Sequence, residues 1–489
     1  MGKTREEFFE GIHNTPPFEH LPYSVIGLRT ETMSQIDMQD VNLRGQISTN
    51  YSLRNPIIAA AMNCISEDKM AIAMAKVGGA AFIHHANTPE EQQQLAKNVY
   101  HHLAGIITNP WHAEATDTVE SVLQKLDNSG KDFRTLPVVD ENQRCVGLMD
   151  KTTFGLFDPS TSISEAMRPL GSFVTGDMGM DPHEVYDQMR QDKAGTIVLL
   201  DKERHLGGLC LQADILRVVN SNPEEFSLYE NGRLMAFASV PTIPEEALHR
   251  IDLLKKYIKV FGIDTSHGEH KYAVETLKAI KENHSDIDVL AGNISTEQTA
   301  IEIAKCEPDG MVSGQGPGDI CISSDRLGFG TPQASAVYEV SKGARKVNPD
   351  MPILADGGIK DSADTVKALA CGATAVKVGS LVAGTNETPD STLDRDDGGN
   401  TFRWYWGMGS KRAQQAFSAA RARYGHYGPP RKLIFIEGVE KRVPIKGPVA
   451  DVIEEHVMGV RISMAAQGFS SIEDIHQGAR FMYGSNKKS

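Results

Sequence analysis

The chain has 489 residues, more than one ordinary domain of ~100–200 residues holds, so at least two units, or a large barrel carrying an insertion, are expected. Fifty Lys+Arg against 64 Asp+Glu leave a formal net charge of -14, which lacks the basic excess that drives binding to a phosphate backbone, and nucleic acid is not an expected partner. No stretch approaches the ~20 consecutive apolar residues of a membrane helix, and the polar start at residues 1–16 has no apolar core for a secretory signal, so a cytoplasmic protein without membrane association is expected.

From residue 56 onward, short apolar runs ending in small or polar residues recur, each followed by a stretch of helical period. The runs at 56–62 (PIIAAAM) and 80–84 (AAFIH) predict two strands, with helices at 66–77 and 90–99. After an interruption the pattern resumes at 234–240, 259–264, 288–293, 309–314, 352–358 and 375–380, alternating with helices predicted at 245–257, 271–283, 296–305, 331–347 and 362–371 and a last one at 449–464. Eight strand-then-helix repeats read as a (β/α)8 TIM barrel, an α/β fold. The interruption divides the chain into barrel residues 1–110, an insertion at 111–222 and barrel residues 223–489. Inside the insertion, 136–150 (LPVVDENQRCVGLMD) and 195–214 (GTIVLLDKERHLGGLCLQAD) share one pattern of apolar strand, acidic turn and second strand, each copy preceded by a helix-like run. The duplication resembles a tandem CBS module, which implies adenine or guanine nucleotide binding; a purely structural or oligomer-forming insertion fits the same pattern. After the eighth strand, residues 387–431 run polar and Gly-rich, as lid loops do.

Six scattered cysteines (Cys64, Cys145, Cys210, Cys306, Cys321 and Cys371), without CxxC spacing, suggest neither a disulfide framework nor a zinc site. The active site of such a barrel lies at the C-terminal ends of its strands. Those ends read Asp264-Thr265-Ser266-His267-Gly268, Ala291-Gly292-Asn293, the Gly-rich loop from Ser313 to Cys321, Ala355-Asp356-Gly357-Gly358 and Gly379-Ser380. Glycines let successive backbone groups turn toward a ligand, and such a setting favours thiolate. The histidines His84, His85 and His267 at strand ends receive no assignment.

The stretches GIDTSHG, LAGN, GQGPGDICISS, PILADGGIKDSADTVKALACGATAVKVGSLVAGT, WGMGS and IEGVEKRVPIKGPV are similar to the inosine monophosphate dehydrogenase and GMP reductase family over almost the whole chain. The resemblance implies that Cys321 is the nucleophile adding to C2 of a purine while hydride moves to or from a nicotinamide. It implies that Asp356 grips the ribose, that Gly358, Gly379, Ser380 and Tyr405 cradle the phosphate, and that Met408, Gly409 and Glu437 contact the base. Asp264, Ser266 and Asn293 fall beside the nicotinamide riboside, and the carbonyls of Gly316, Gly318 and Cys321 fall at a monovalent-cation site, potassium in kind. Ser323 stands for the relay Thr of the family. Arg423-Tyr424, fourteen residues before Glu437, matches the flap pair that activates water in the dehydrogenase branch. The leading expectation is therefore NAD-dependent oxidation of inosine monophosphate to xanthosine monophosphate by a homotetramer or octamer. The rivals are GMP reduction to inosine monophosphate with NADPH and ammonia release, and a regulatory protein on a degenerate barrel.

The motif departs from the family at Asp319, where a Ser normally donates to the substrate phosphate. A carboxylate 4 Å from a phosphate charge is repelled by ~4 kcal/mol per unit-charge pair at an effective dielectric of 20. Val312 likewise stands where the family commonly has Lys or Arg, and Asn63-Cys64 replace Asp-Thr after the first strand. Either Asp319 turns away or is offset by a cation, or the substrate is a purine nucleoside without phosphate.

Overall fold

The computed structural model describes residues 2–13, 20–30, 33–103, 105–108, 110–129, 135–150, 154–220, 222–416 and 435–483. The chain divides into two compact units, one comprising Met1–Tyr100 with Pro223–Ser489 and the other His101–Asn222.

In the first unit the strands β1 (Ile57–Ala59), β2 (Ala80–Ile83), β3 (Phe237–Val240), β4 (Val260–Ile263), β5 (Asp288–Ile294), β6 (Gly310–Ser313), β7 (Ile353–Asp356) and β8 (Ala375–Val378) close into a barrel. Every pairing in it is parallel, including β8 with β1. Parallel strands are covered on both faces, which is why the sequence shows them as unbroken apolar runs rather than alternating ones. Ile58, Phe82, Phe237, Val260, Leu290, Val312, Leu354 and Ala375 meet in one buried cluster that fills the barrel.

The outer helices are α1 (Asp68–Lys76), α2 (Pro89–His101), α3 (Pro244–Leu254), α4 (Lys271–Asn283), α5 (Glu297–Ala304), α6 (Gln333–Val347), α7 (Ser362–Ala370) and α8 (Val449–Gln467). Their starts carry local signals: Pro244 opens α3, Thr296 accepts from Thr299 N at the start of α5, and Asp361 accepts from Asp364 N at the start of α7. These caps fix where each strand-end loop stops and thus how far it projects over the barrel mouth.

Two expectations shift. Part of the segment read as a loose lid forms the strands Leu393–Arg395 and Thr401–Trp406, which Glu440–Pro444, beyond that segment, joins in a three-stranded antiparallel sheet. The aromatic-rich run TFRWYW favours a strand, and Asp396 pins the intervening turn by accepting from Gly398 N and Asn400 N. The barrel's first part also ends at Tyr100 rather than at residue 110, because Ile106–Ile107 pairs with Leu206–Leu211 inside the second unit.

The second unit holds two four-stranded sheets, each centred on one antiparallel hairpin, Thr135–Val139 with Cys145–Asp150 and Thr196–Leu200 with Leu206–Leu211. The helices Val119–Ser129 and Pro182–Asp192 precede the hairpins. Cys145 and Leu148 from one hairpin pack with Val198, Leu200 and Leu209 from the other, so the repeat seen in sequence shares one buried seam.

Candidate active site

The C-terminal ends of the barrel strands open into a concave, solvent-connected cavity. Its lining includes Cys321, Ser323, Glu437, Asp319, Asp356, Gly358, Gly379, Ser380, Tyr405, Met408, Ser266, Asn293, Gly316 and Gly318.

Cys321 follows the Gly-rich loop after β6 and precedes a short helix at Ser323–Leu327. Its Sγ donates to Ser323 Oγ at 3.3 Å, and Ser323 Oγ donates to Glu437 Oε2 at 2.8 Å. Backbone bonds hold this line together: Ile322 N donates to Glu437 O at 3.0 Å, Glu437 N to Gly409 O at 3.0 Å, and Val439 N to Ile320 O at 2.9 Å. Segments far apart in sequence are thereby zipped onto one wall. Burial pushes the thiols of Cys64, Cys210 and Cys371 up to about 12. Cys64 donates to Trp406 O at 3.2 Å and Asn63 Oδ1 accepts from Trp406 Nε1 at 2.9 Å, so this unusual pair anchors the strand that carries Tyr405.

Across the cavity, Asp356 at the end of β7 receives Lys377 Nζ at 2.7 Å and Asn293 Nδ2 at 2.8 Å, both on Oδ2. Two donors on one oxygen orient the carboxylate and direct its Oδ1 away from them. The next two residues turn sharply: Gly358 has φ +76, a left-handed conformation that side chains rarely adopt. Gly379 sits against Tyr405, where a Cβ would lie 2.6 Å from the hydroxyl. Burial raises the Tyr405 phenol well above its ordinary range, so it stays a neutral donor. Lys446 Nζ donates to the carbonyls of Ser380 and Leu381 at 2.8 Å each, holding the loop after β8.

Asp319 does not stand alone. Lys441 Nζ donates to Asp319 Oδ1 at 2.9 Å and to the Asp319 carbonyl oxygen at 3.0 Å. An ammonium this close offsets part of the ~4 kcal/mol repulsion that an unpaired Asp319 would exert per unit charge of an anion at 4 Å.

Not every expected residue lines the cavity. The Asp264 carboxylate is buried, 3.7 Å from His85 Nδ1, and Gly409 meets its neighbours through its carbonyl, which accepts from Glu437 N and Gln414 Nε2. Arg423 and Tyr424 lie outside the described residues. His85 Nδ1 pairs with Ser239 Oγ at 3.0 Å and His84 Nδ1 accepts from Ala86 N, structural contacts both. His267, left unassigned by sequence, lines the cavity and packs on Phe329, which lines it too. Sequence reading also missed Lys377 and Lys441. The first carries a signal in hindsight, a lone charge within the apolar strand AVKV; the second sits in a charged strand where nothing distinguishes it.

A parallel barrel whose mouth combines a thiol–hydroxyl–carboxylate line with a glycine-lined pocket and an oriented carboxylate has the arrangement of a barrel enzyme's active site. Residues 26–488 match the family described as IMP dehydrogenase / GMP reductase domain. The chain is 33% identical over 453 residues to the inosine-5'-monophosphate dehydrogenase of Halalkalibacterium halodurans, covering 92% of this chain and 90% of that one. It is also 33% identical to the enzyme of the same name from Aquifex aeolicus, with the same coverage. Among solved structures, a cysteine-to-alanine variant of GMP reductase from Trypanosoma brucei in complex with guanosine 5'-monophosphate aligns with a TM-score of 0.80 at 28% identity over 96% of each chain. The protein belongs to the IMP dehydrogenase / GMP reductase family and is a purine nucleotide oxidoreductase. Among the described residues no helix is long and apolar enough to cross a membrane.

Proposed function

We propose that the enzyme oxidises inosine monophosphate at C2, delivering hydride to NAD and releasing xanthosine monophosphate. The oxidative direction is carried by the 33% identity, over 92% of the chain, to enzymes named inosine-5'-monophosphate dehydrogenase, and the chemistry by the Cys321–Ser323–Glu437 line on the wall of the cavity that also holds Asp356, Gly358, Gly379 and Tyr405. The Cys321 thiol gives up its proton by way of Ser323 toward Glu437, and the sulfur adds to C2 as the C2=N3 π pair moves onto N3, which takes a proton. The C2–H bond then breaks with its electron pair, and the bound nicotinamide supplies the two-electron acceptor. Water adds to C2 and the C–S bond breaks, which returns the thiol. Asp356, oriented by Lys377 and Asn293, accepts from the ribose hydroxyls, while Gly358, Gly379, Ser380 and Tyr405 take the phosphate and Met408 the base. Ser266, His267, Asn293 and Phe329 give an aromatic surface and polar groups suited to a nicotinamide riboside.

In this reading Arg423 and Tyr424 activate the water, and the carbonyls of Gly316, Gly318 and Cys321 hold a potassium-like cation. The Gly318 carbonyl takes Cys321 N–H at 3.0 Å with one lone pair, leaving the second for the ion. The second unit acts as a CBS module binding an adenine or guanine nucleotide, for which its cleft offers Thr175, Asp177, Gln188, Asp201 and Arg204. The active form is a homotetramer or a pair of them, within the cytoplasm.

GMP reduction with NADPH is the second reading, favoured by the likeness to the Trypanosoma brucei reductase and by the Ser323–Glu437 bond, the relay that reading requires. Both readings pass through a C2 adduct on the same sulfur. Acid quenching during turnover with inosine monophosphate and NAD, followed by peptide mass mapping, is expected to find the nucleotide on Cys321. Sustained turnover by Cys321→Ala would overturn covalent catalysis.

A further inference from the structure

The contacts of Lys441 converge on Asp319 at the wall of the cavity. Asp319 lines the cavity together with Gly379, Ser380 and Tyr405. Lys441 is directly opposite Tyr405 in the antiparallel register of Thr401–Trp406 with Glu440–Pro444, so the two side chains project from the same face of that sheet. Its ammonium grips both the carboxylate and the backbone carbonyl of Asp319, holding the charge at the loop that presents Cys321 two residues later. Asp319 is also among the charges acting on the Tyr405 hydroxyl, which places it close to the group read as a phosphate donor. The pair is part-exposed, with side-chain accessibilities of 43% for Lys441 and 39% for Asp319, so an anion entering from solvent can compete for the ammonium.

We infer that Lys441 is the specificity-determining cation for the 5'-phosphate of the substrate, and that Asp319 holds it in place when no phosphate is bound. This rests on the nucleotide reading above and deepens it. The pair as a whole is neutral, so it neither repels nor strongly attracts an uncharged nucleoside, whereas a phosphate dianion gains by drawing the ammonium toward itself. The exchange of a hydroxyl donor for a carboxylate at position 319 is thus tolerated because a cation on a neighbouring strand accompanies it. Selectivity for a phosphomonoester over the nucleoside then comes in part from Lys441 rather than from a serine in the loop.

The test is a cycle of four proteins, the wild type, Lys441→Ala, Asp319→Ser and the double variant, assayed with inosine monophosphate and with inosine. Lys441→Ala leaves Asp319 uncompensated and is expected to raise the nucleotide KM about tenfold, with kcat within about threefold of wild type. Asp319→Ser frees Lys441 and is expected to tighten nucleotide binding, while the double variant returns near wild type. The Lys441→Ala effect shrinks as salt is raised, which a purely structural role for Lys441 would not show. An unchanged nucleotide KM in Lys441→Ala, or a wild type that prefers inosine, overturns the inference. Calorimetric titration of the same four proteins with inosine monophosphate keeps the two readings apart. Binding that follows the expected order without turnover supports Lys441 and counts against the proposed reaction; turnover with binding indifferent to Lys441 does the reverse.

Discussion

Ser323 is the smallest element of the proposed chemistry with a sharp expectation. It donates to Glu437 and accepts from Cys321, so its hydroxyl is the link through which a proton passes. Ser323→Ala should lower kcat on the order of 10²-fold, the lower range for general acid–base groups, while Ser323→Thr keeps the hydroxyl and stays near wild type. Equal steady-state rates for Ser323→Ala and wild type would remove the relay from the mechanism. Lys377 carries a different expectation. Its ammonium and the Asp356 carboxylate are largely buried together, and removing one partner of such a pair leaves the other charge stranded. Lys377→Met should cost about 3 kcal/mol in denaturant unfolding, at the low end for buried pairs because Asn293 still donates to Asp356, and should weaken purine nucleotide binding. The motifs quoted for the family contain Cys321, Asp356 and Glu437, so these were legible from sequence. The partners that tune them were not, because the Lys377–Asp356 contact joins adjacent barrel strands and the Lys441–Asp319 contact spans more than a hundred residues, distances that only the folded topology closes.

At the scale of elements, the barrel was the most legible part because each strand is a buried apolar run and each helix has its own period and cap. Helix α4 was read at its observed bounds, and the other seven outer helices differ from expectation by a few residues at their ends, where fraying and caps decide the limit. The antiparallel sheet of Leu393–Arg395, Thr401–Trp406 and Glu440–Pro444 was not legible, since its third strand is highly charged and gains its place only by pairing with TFRWYW. Helix α8 docks on α7 through His456, whose ring nitrogen meets Thr365 Oγ1 at 2.8 Å, and burial pushes this imidazole down to about 4. The unfolded chain, with an ordinary histidine near pH 6.5, binds more protons than the folded one between about pH 4 and 6.5. The folded state therefore loses on the order of 3 kcal/mol from this group as pH falls through that window to about 4. His456→Gln should flatten the fall in melting temperature between neutral and mildly acidic buffer; an identical pH dependence in the variant would contradict the assignment.

For the whole molecule, eight strand–helix repeats led to a barrel and a repeated pattern to a duplicated insertion, while the purine oxidoreductase reading rested on the motifs that resemble the family. The insertion's repeat was visible because each half keeps its own hairpin pattern. Its first boundary was placed ten residues late because the short strand Ile106–Ile107 carries no signal of the hairpin it joins. The direction of hydride transfer belongs to this scale too. Absorbance of the reduced nicotinamide decides it most directly, with purified enzyme in potassium buffer offered inosine monophosphate with NAD in one cuvette and GMP with NADPH in another. The proposed function predicts a rise in the first, abolished by Cys321→Ala, with xanthosine monophosphate as product, and no change in the second. A fall in the second with ammonia released, and a flat first trace, would contradict it and assign the enzyme to the reductive branch of its family.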